Sequence, residues 1–129
     1  MNQPVLAFII GITLGIILET AYRSVNAKRF VVPELINIQM YGLMGIFLVL
    51  LRQWNLLVPF ELFLLFSVPT LIEYTTGYIG LKLSNKYFWD YQNESLNFQG
   101  LICLRFSTVW FILSALFYYL LLPYIGIKL

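Results

Sequence analysis

The chain has 129 residues, of which 60% are apolar and 11% are charged, and its formal net charge is +2. With a mean hydropathy of +0.83, a soluble domain of this length could not hide its apolar surface in one core. The single cysteine excludes a disulfide within the chain, and the absence of histidine excludes histidine-based metal sites and proton relays. No basic patch with interleaved aromatic residues indicates a nucleic-acid partner. The composition therefore predicts an integral membrane protein.

Four apolar segments approach or exceed the roughly 20 residues that cross a bilayer. They are residues 4–22, 34–51, 56–83 and 98–124. The linkers are short, so neighbouring segments should run antiparallel. We expect an all-α polytopic membrane protein that forms one domain, 1–129, built as an antiparallel bundle of four transmembrane helices.

The third segment is the longest and contains Pro69 in its middle. Proline removes a backbone hydrogen bond, so the third helix is expected to be long and kinked near this residue. A pair of shorter segments with a re-entrant break is the alternative.

Basic residues predict the orientation in the membrane. The first and third loops carry Arg23, Lys28, Arg29, Lys82 and Lys86, whereas the other side carries Arg52 and Lys128. Because cytoplasmic loops are enriched in Lys and Arg, loops 23–33 and 84–97 should be cytoplasmic and both termini outside, with the plasma (inner) membrane as the expected location.

This orientation brings polar residues of all four segments and the third loop to the cytoplasmic side. The candidate ligand-binding residues are Glu19, Tyr22, Tyr41, Glu73, Tyr74, Trp89, Asp90, Tyr91, Asn97 and Arg105. A carboxylate deep in a span, such as Glu73, costs about 2.5–3.5 kcal/mol on insertion scales. Glu73 should therefore face the bundle interior, either as part of a binding site or as a polar contact between helices.

Helical spacing places small and polar residues in one stripe on each segment. The first stripe joins a GxxxG pair, Gly11 and Gly15, to Glu19 and Arg23, which are spaced for an ion pair. The others are Asn37, Tyr41 and Gly45; Thr70, Glu73, Gly77 and Gly80; and Cys103, Ser107, Trp110, Ser114 and Tyr118. We expect these four stripes to face one another.

Several residues allow more than one interpretation. Arg105 could pair with Glu73 or Glu19, or extend to lipid phosphates. Trp89 and Tyr91 could be interfacial anchors, while Asp90 and Asn97 could cap the fourth helix or hold the loop. Glu61, near the opposite interface, is expected to be solvated or to extend toward water, and Cys103 to be a packing residue.

A sequence signature is concentrated between residues 84 and 107. Trp89-Asp90-Tyr91 is followed by Asn97-x-x-Gly100-x-Ile102-Cys103-Leu104 and Ser107-x-x-Trp110; upstream come Gly15, Glu19, Tyr22, Tyr41-Gly42 and Leu71-x-Glu73-Tyr74. In order and spacing these residues resemble the CmpB-type family of type IV ABC transporters. The chain departs from the family pattern at Gln92, Leu101 and Phe111, where the family has Ser, Arg and Gly. The resemblance implies a role in transport.

Three functions remain open. The first is a transporter membrane component that binds a polar ligand, a cation or a lipid headgroup. It would require a homo-oligomer or partner membrane subunits, and any ATP-driven cycle would need a separate ATPase because the sequence has no P-loop. The second is a structural or regulatory subunit.

The third function is an intramembrane lipid-modifying enzyme, in which Glu19, Glu73 and Asp90 supply acid–base chemistry or ligate a cation. It ranks last because no nucleophile motif is present. No catalytic residue and no cofactor are predicted, and metal binding is left open.

Overall fold

The computed structural model describes residues 2–125. Its helices are α1 (Gln3–Ala27), α2 (Leu35–Trp54), α3 (Val58–Ser84), α4 (Leu104–Leu116) and a final turn, α5 (Leu122–Tyr124). A π-helical segment, Phe117–Leu121, joins α4 to α5, so that Leu104–Tyr124 is one continuous helical segment. α1, α2, α3 and this segment are each long and apolar enough to cross a membrane. The prediction of four transmembrane helices is confirmed.

The helix ends follow from local chemistry. The Asn2 side chain accepts a hydrogen bond from the Val5 amide and caps α1, since the first amides of a helix lack partners within it. Lys28, Asn55 and Asn85 adopt left-handed backbone conformations that end α1, α2 and α3. α1 thus runs to Ala27, beyond the predicted boundary at Tyr22, because no residue before Lys28 interrupts the helix.

The fourth helix begins at Leu104, later than the predicted boundary at Phe98. The preceding residues form an antiparallel hairpin of β1 (Asn97–Phe98) and β2 (Ile102–Cys103), with Asn97 opposite Cys103. Gly100 has a φ of 69°, which glycine adopts without steric cost. The apolar residues between Phe98 and Cys103 therefore belong to the loop rather than to a transmembrane helix.

α3 is a single helix through Pro69, which is fully buried. The alternative of two short segments with a re-entrant break is therefore wrong. Proline cannot donate the hydrogen bond to the residue one turn earlier, and the kink at this position stays a prediction.

α1 and α2 pack closely through their small residues. A methyl group at Gly11 would overlap the backbone carbonyl of Tyr41, and one at Gly45 would overlap the carbonyl of Ala7. Gly15 lies against the Tyr41 ring. The GxxxG pair is thus used inside the chain, where it lets two helix backbones approach.

A groove of about 540 Å³ lies between α1 and α4. Its floor is α2, represented by Met44 and Leu48, and its walls include Leu14 and Leu113. Almost all of its lining is apolar. We refer to it as the apolar groove.

The end of the bundle that carries residues 28–34 and 85–103 is called the hairpin end. Lys86 and Glu34 form an ion pair of 3.5 Å that joins the two loops. At the opposite end, Arg52 Nη1 donates to the Tyr118 carbonyl at 2.9 Å, inside the π-helical segment. Glu61 is buried there, with 8% of its surface exposed, so the expectation of a solvated side chain is wrong.

Candidate functional site

A cavity of about 650 Å³ opens at the hairpin end, between all four helices and the loop. Of the ten residues predicted from the sequence, eight line it: Glu19, Tyr22, Tyr41, Glu73, Trp89, Asp90, Tyr91 and Arg105. The structure therefore brings together most of the residues that the sequence placed at one face. We refer to this space as the polar cavity.

Glu73 projects from α3 into the bundle and is 3% exposed. Its Oε2 accepts two hydrogen bonds, from the Tyr91 hydroxyl at 3.0 Å and from Trp110 Nε1 at 2.9 Å. Its Oε1 has no hydrogen-bond partner among the described residues. Since buried carboxylate oxygens are normally satisfied, this oxygen is available to a bound group.

Both carboxylate oxygens of Glu19 on α1 accept hydrogen bonds, and one of these bonds connects α1 to α2. Oε2 accepts from Arg23 Nε at 3.0 Å, which is the pair predicted one turn apart. Oε1 accepts from the Tyr41 hydroxyl at 2.8 Å. The Tyr41 ring in turn lies 4.9 Å from the Trp110 ring, so Glu19 and Glu73 belong to one connected cluster.

Tyr91 reaches the cluster from the loop. Its ring stacks on Phe106, with centroids 4.8 Å apart and planes inclined by 9°. Burial raises the pKa of the Tyr91 hydroxyl, and the neighbouring Glu73 raises it further. Tyr91 therefore stays protonated at neutral pH and acts as a hydrogen-bond donor to Glu73.

The other signature residues of the loop build its shape. Trp89 Nε1 donates to the Leu101 carbonyl at 2.8 Å, and its ring occupies the space left by Gly77. Asp90 accepts from the Gln92 amide at 3.0 Å, a local turn that fixes the start of the loop. A side chain at Gly100 would meet Asp90 Oδ1 at 2.9 Å.

Asn97 and Tyr74 do not line the polar cavity. Asn97 holds the loop by donating to the carbonyls of Gln92 and Glu94 and by accepting from the Gly100 amide. Tyr74 faces outward and donates to Gln99 Oε1 at 2.9 Å. Of the two roles expected for Asn97, the structure therefore shows the one in which it holds the loop. It does not cap α4, because the N-cap residue of that helix is Cys103.

Arg105 pairs with Glu94 at 3.2 Å, so the alternative in which it pairs with Glu73 or Glu19 is wrong. The reason is its position: it is the second residue of α4, next to the loop, and its side chain is 67% exposed. Glu94 was not among the predicted residues because nothing in the sequence marks it as a partner for Arg105.

Two further buried residues belong to the cavity. Asn37 of α2 is 1% exposed, and neither of its side-chain polar atoms has a partner among the described residues. Trp110 donates directly to Glu73. Both lie on the predicted stripes but were not selected as site residues. Their position on these stripes was the sequence signal that could have identified them.

A family model described as "Putative ABC-transporter type IV" matches residues 6–128. The chain belongs to this family. No curated protein and no solved structure matches it.

In this family member, the signature residues have two roles. Trp89, Asp90, Asn97 and Gly100 form the loop through hydrogen bonds to its own backbone, whereas Tyr91 is directed to Glu73. The signature thus encodes a loop that delivers one hydroxyl to a buried carboxylate.

The charges around the polar cavity are mostly acidic. Arg23 and Arg105 are each paired with a carboxylate, Glu19 and Glu94. Within residues 2–125, neither Glu73 nor Asp90 has a basic side chain at ion-pair distance. No group of three or more His, Cys, Asp or Glu side chains suited to a metal ion occurs in this part of the chain. The lining of the cavity therefore carries more acidic than basic side chains.

Proposed function

We propose that the chain is a ligand-binding membrane component of a transport system and that its polar cavity binds an organic ammonium group. The observation that carries this proposal is the free Oε1 of Glu73, a buried acceptor in a cavity where both arginines are already paired. An organic ammonium group placed there would neutralise the charge of the carboxylate, and one that carries an N–H would also donate to this oxygen.

Aromatic rings support the same ligand class. Tyr41, Trp89, Tyr91, Phe106 and Trp110 all line the cavity. Ring faces attract cations, by about 0.5–1 kcal/mol at exposed sites and about 2 kcal/mol or more where water is excluded. Aromatic rings combined with a carboxylate favour an ammonium or alkylated ammonium group over a small, strongly hydrated metal ion.

The proposed setting is the cytoplasmic face of the plasma (inner) membrane, with both termini outside. The basic residues of the hairpin end support this orientation; Lys128, which was counted on the other side, lies outside the described residues. Four helices are few for a complete permease, so the proposal includes a homo-oligomer or partner membrane subunits, and a separate ATPase for any ATP-driven cycle.

The test is calorimetric titration of the protein in lipid nanodiscs with tetramethylammonium and choline. We expect saturable binding that weakens at least about tenfold, or about 1.4 kcal/mol, in Glu73→Gln. The matched control is Glu61→Gln, since Glu61 is also a buried carboxylate but lies at the opposite end. Absence of binding, or equal loss in both variants, would contradict the proposal.

A structural role for the cluster is the second candidate. Glu73 joins α3, the loop and α4 through its hydrogen bonds, which is also what a contact between helices would do. If Glu73→Gln fails to fold, Asn37→Leu replaces it in the titration, because Asn37 makes no side-chain hydrogen bond among the described residues that the substitution could break. Failure of the wild-type protein to bind ammonium, together with failure of Glu73→Gln to fold, would favour the structural role.

A further inference from the structure

The polar cavity and the apolar groove are adjacent and share part of their lining. Four residues line both of them: Leu18, Tyr41, Trp110 and Leu113. The polar cavity lies at the hairpin end, and the groove extends from it along α1 and α4 toward Tyr124 at the opposite end. A single elongated ligand could therefore occupy both.

The two parts differ sharply in chemistry. The cavity contains the free carboxylate oxygen of Glu73 and the unpartnered amide of Asn37. The groove is lined by Leu14, Met44, Leu48 and Leu113 among other apolar side chains. A polar end followed by an apolar channel matches a molecule with a charged head and an alkyl chain. Both volumes lie within the range of about 300–1,000 Å³ that ligand pockets occupy.

We infer that the ligand is an amphiphile with an ammonium head, whose head binds at Glu73 and whose alkyl chain lies in the apolar groove between α1 and α4. The inference rests on the proposed function, because it assigns a tail to the ammonium ligand proposed there. Charge complementarity favours this occupant over an ordinary acyl chain of the bilayer, since a cationic head neutralises the Glu73 carboxylate and an acyl chain carries no charge.

The groove lies between α1 and the fourth helical segment, both of which are long and apolar enough to cross a membrane. An amphiphile can enter from the bilayer between α1 and α4, while its head stays at the level of the interface. Ser114, which is buried and lines the groove, has a hydroxyl without a partner among the described residues. A larger apolar side chain at this position would fill the groove and leave the polar cavity unchanged.

The experiment uses a single-chain alkyl trimethylammonium probe with a photoreactive group in the middle of its chain. After irradiation in nanodiscs, the labelled residues are identified by peptide mass spectrometry. We expect adducts on groove residues such as Leu48 and Leu113, at least about fivefold more abundant than on lipid-facing residues such as Ile17 and Leu71, which are 58% exposed. A probe with the same chain and an alcohol head should not show this enrichment.

Two variants distinguish the contribution of the ammonium head to binding from that of the alkyl chain. Glu73→Gln should abolish the enrichment through the head, and Ser114→Leu should abolish it through the tail while choline binding is retained. Thr108→Leu, an exposed position on the same helix, should leave the enrichment unchanged.

Adducts spread evenly over the lipid-facing surface, with choline binding intact, would overturn the inference and leave the proposed function standing. Equal enrichment of the alcohol probe would also overturn it, because the groove would then hold any alkyl chain. If neither choline nor the probe binds, the inference and the proposed function fail together.

Discussion

Glu73 is the residue on which the site depends. One of its oxygens is fixed by a tryptophan N–H from α4 and a tyrosine hydroxyl from the loop, and the other is left free. Because both donors hold Oε2, the orientation of the carboxylate is set before any ligand arrives. Preorganisation of this kind reduces the free energy that a ligand must supply to order its site.

The hydrogen bond from Trp110 can be removed without removing an aromatic ring. We expect Trp110→Phe to lower the free energy of unfolding by about 1–3 kcal/mol, the cost of leaving a buried group without its partner. Reversible unfolding in mixed micelles, followed by circular dichroism, measures the change. Trp54→Phe is the matched control, since Trp54 is 55% exposed; equal losses in the two variants would argue that the Glu73 contact contributes nothing.

At the scale of the helices, residue spacing predicted the α1–α2 contact and the Glu19–Arg23 pair, because both depend on local helical geometry. Residue spacing failed where contacts between distant residues determine the structure. The apolar residues from Phe98 to Cys103 indicated a transmembrane helix, yet the turn at Gly100 and the hydrogen bonds of the Asn97 side chain make this segment a hairpin. The pairing of Arg105 with Glu94 depends on that hairpin, so the sequence pattern alone could not reveal it.

The close approach of α1 and α2 makes a quantitative prediction. In Gly11→Ala the added methyl group meets the Tyr41 carbonyl, a backbone atom that cannot move aside without displacing α2. We expect a loss of about 1–3 kcal/mol in the free energy of unfolding, typical of overpacking. Thr13→Ala on the exposed face of α1 is the control. Unchanged stability in Gly11→Ala would mean that the helices do not pack in this register.

For the whole molecule, the distribution of basic residues is more asymmetric than the loop count suggested. Among residues 2–125, Arg52 is the exception, and the other six Lys and Arg residues lie at or near the hairpin end. Arg105 joins this group because α4 begins beside the loop and its side chain is exposed. Because the fourth helix was predicted to start at Phe98, Arg105 was placed inside the transmembrane segment. The count of Lys and Arg residues in the loops therefore omitted it.

Orientation can be tested with the single cysteine of the chain. Cys103 is buried and can be replaced in Cys103→Ala. In that background, Phe30→Cys reports on the hairpin end and Leu57→Cys on the opposite end, since these side chains are 79% and 71% exposed. With a membrane-impermeant maleimide on intact cells, we expect labelling of Leu57→Cys alone, because six basic residues should hold the hairpin end in the cytoplasm.

Inverted membrane vesicles provide the complementary measurement, in which Phe30→Cys should become labelled and Leu57→Cys should become protected. The reversed pattern would place the polar cavity at the outer face. It would leave the arrangement of Glu73, Tyr91 and Trp110 unchanged but would reverse the side from which the cavity receives a soluble ligand. Entry of the proposed alkyl chain between α1 and α4 would be unaffected, since both helices would cross the bilayer in either orientation.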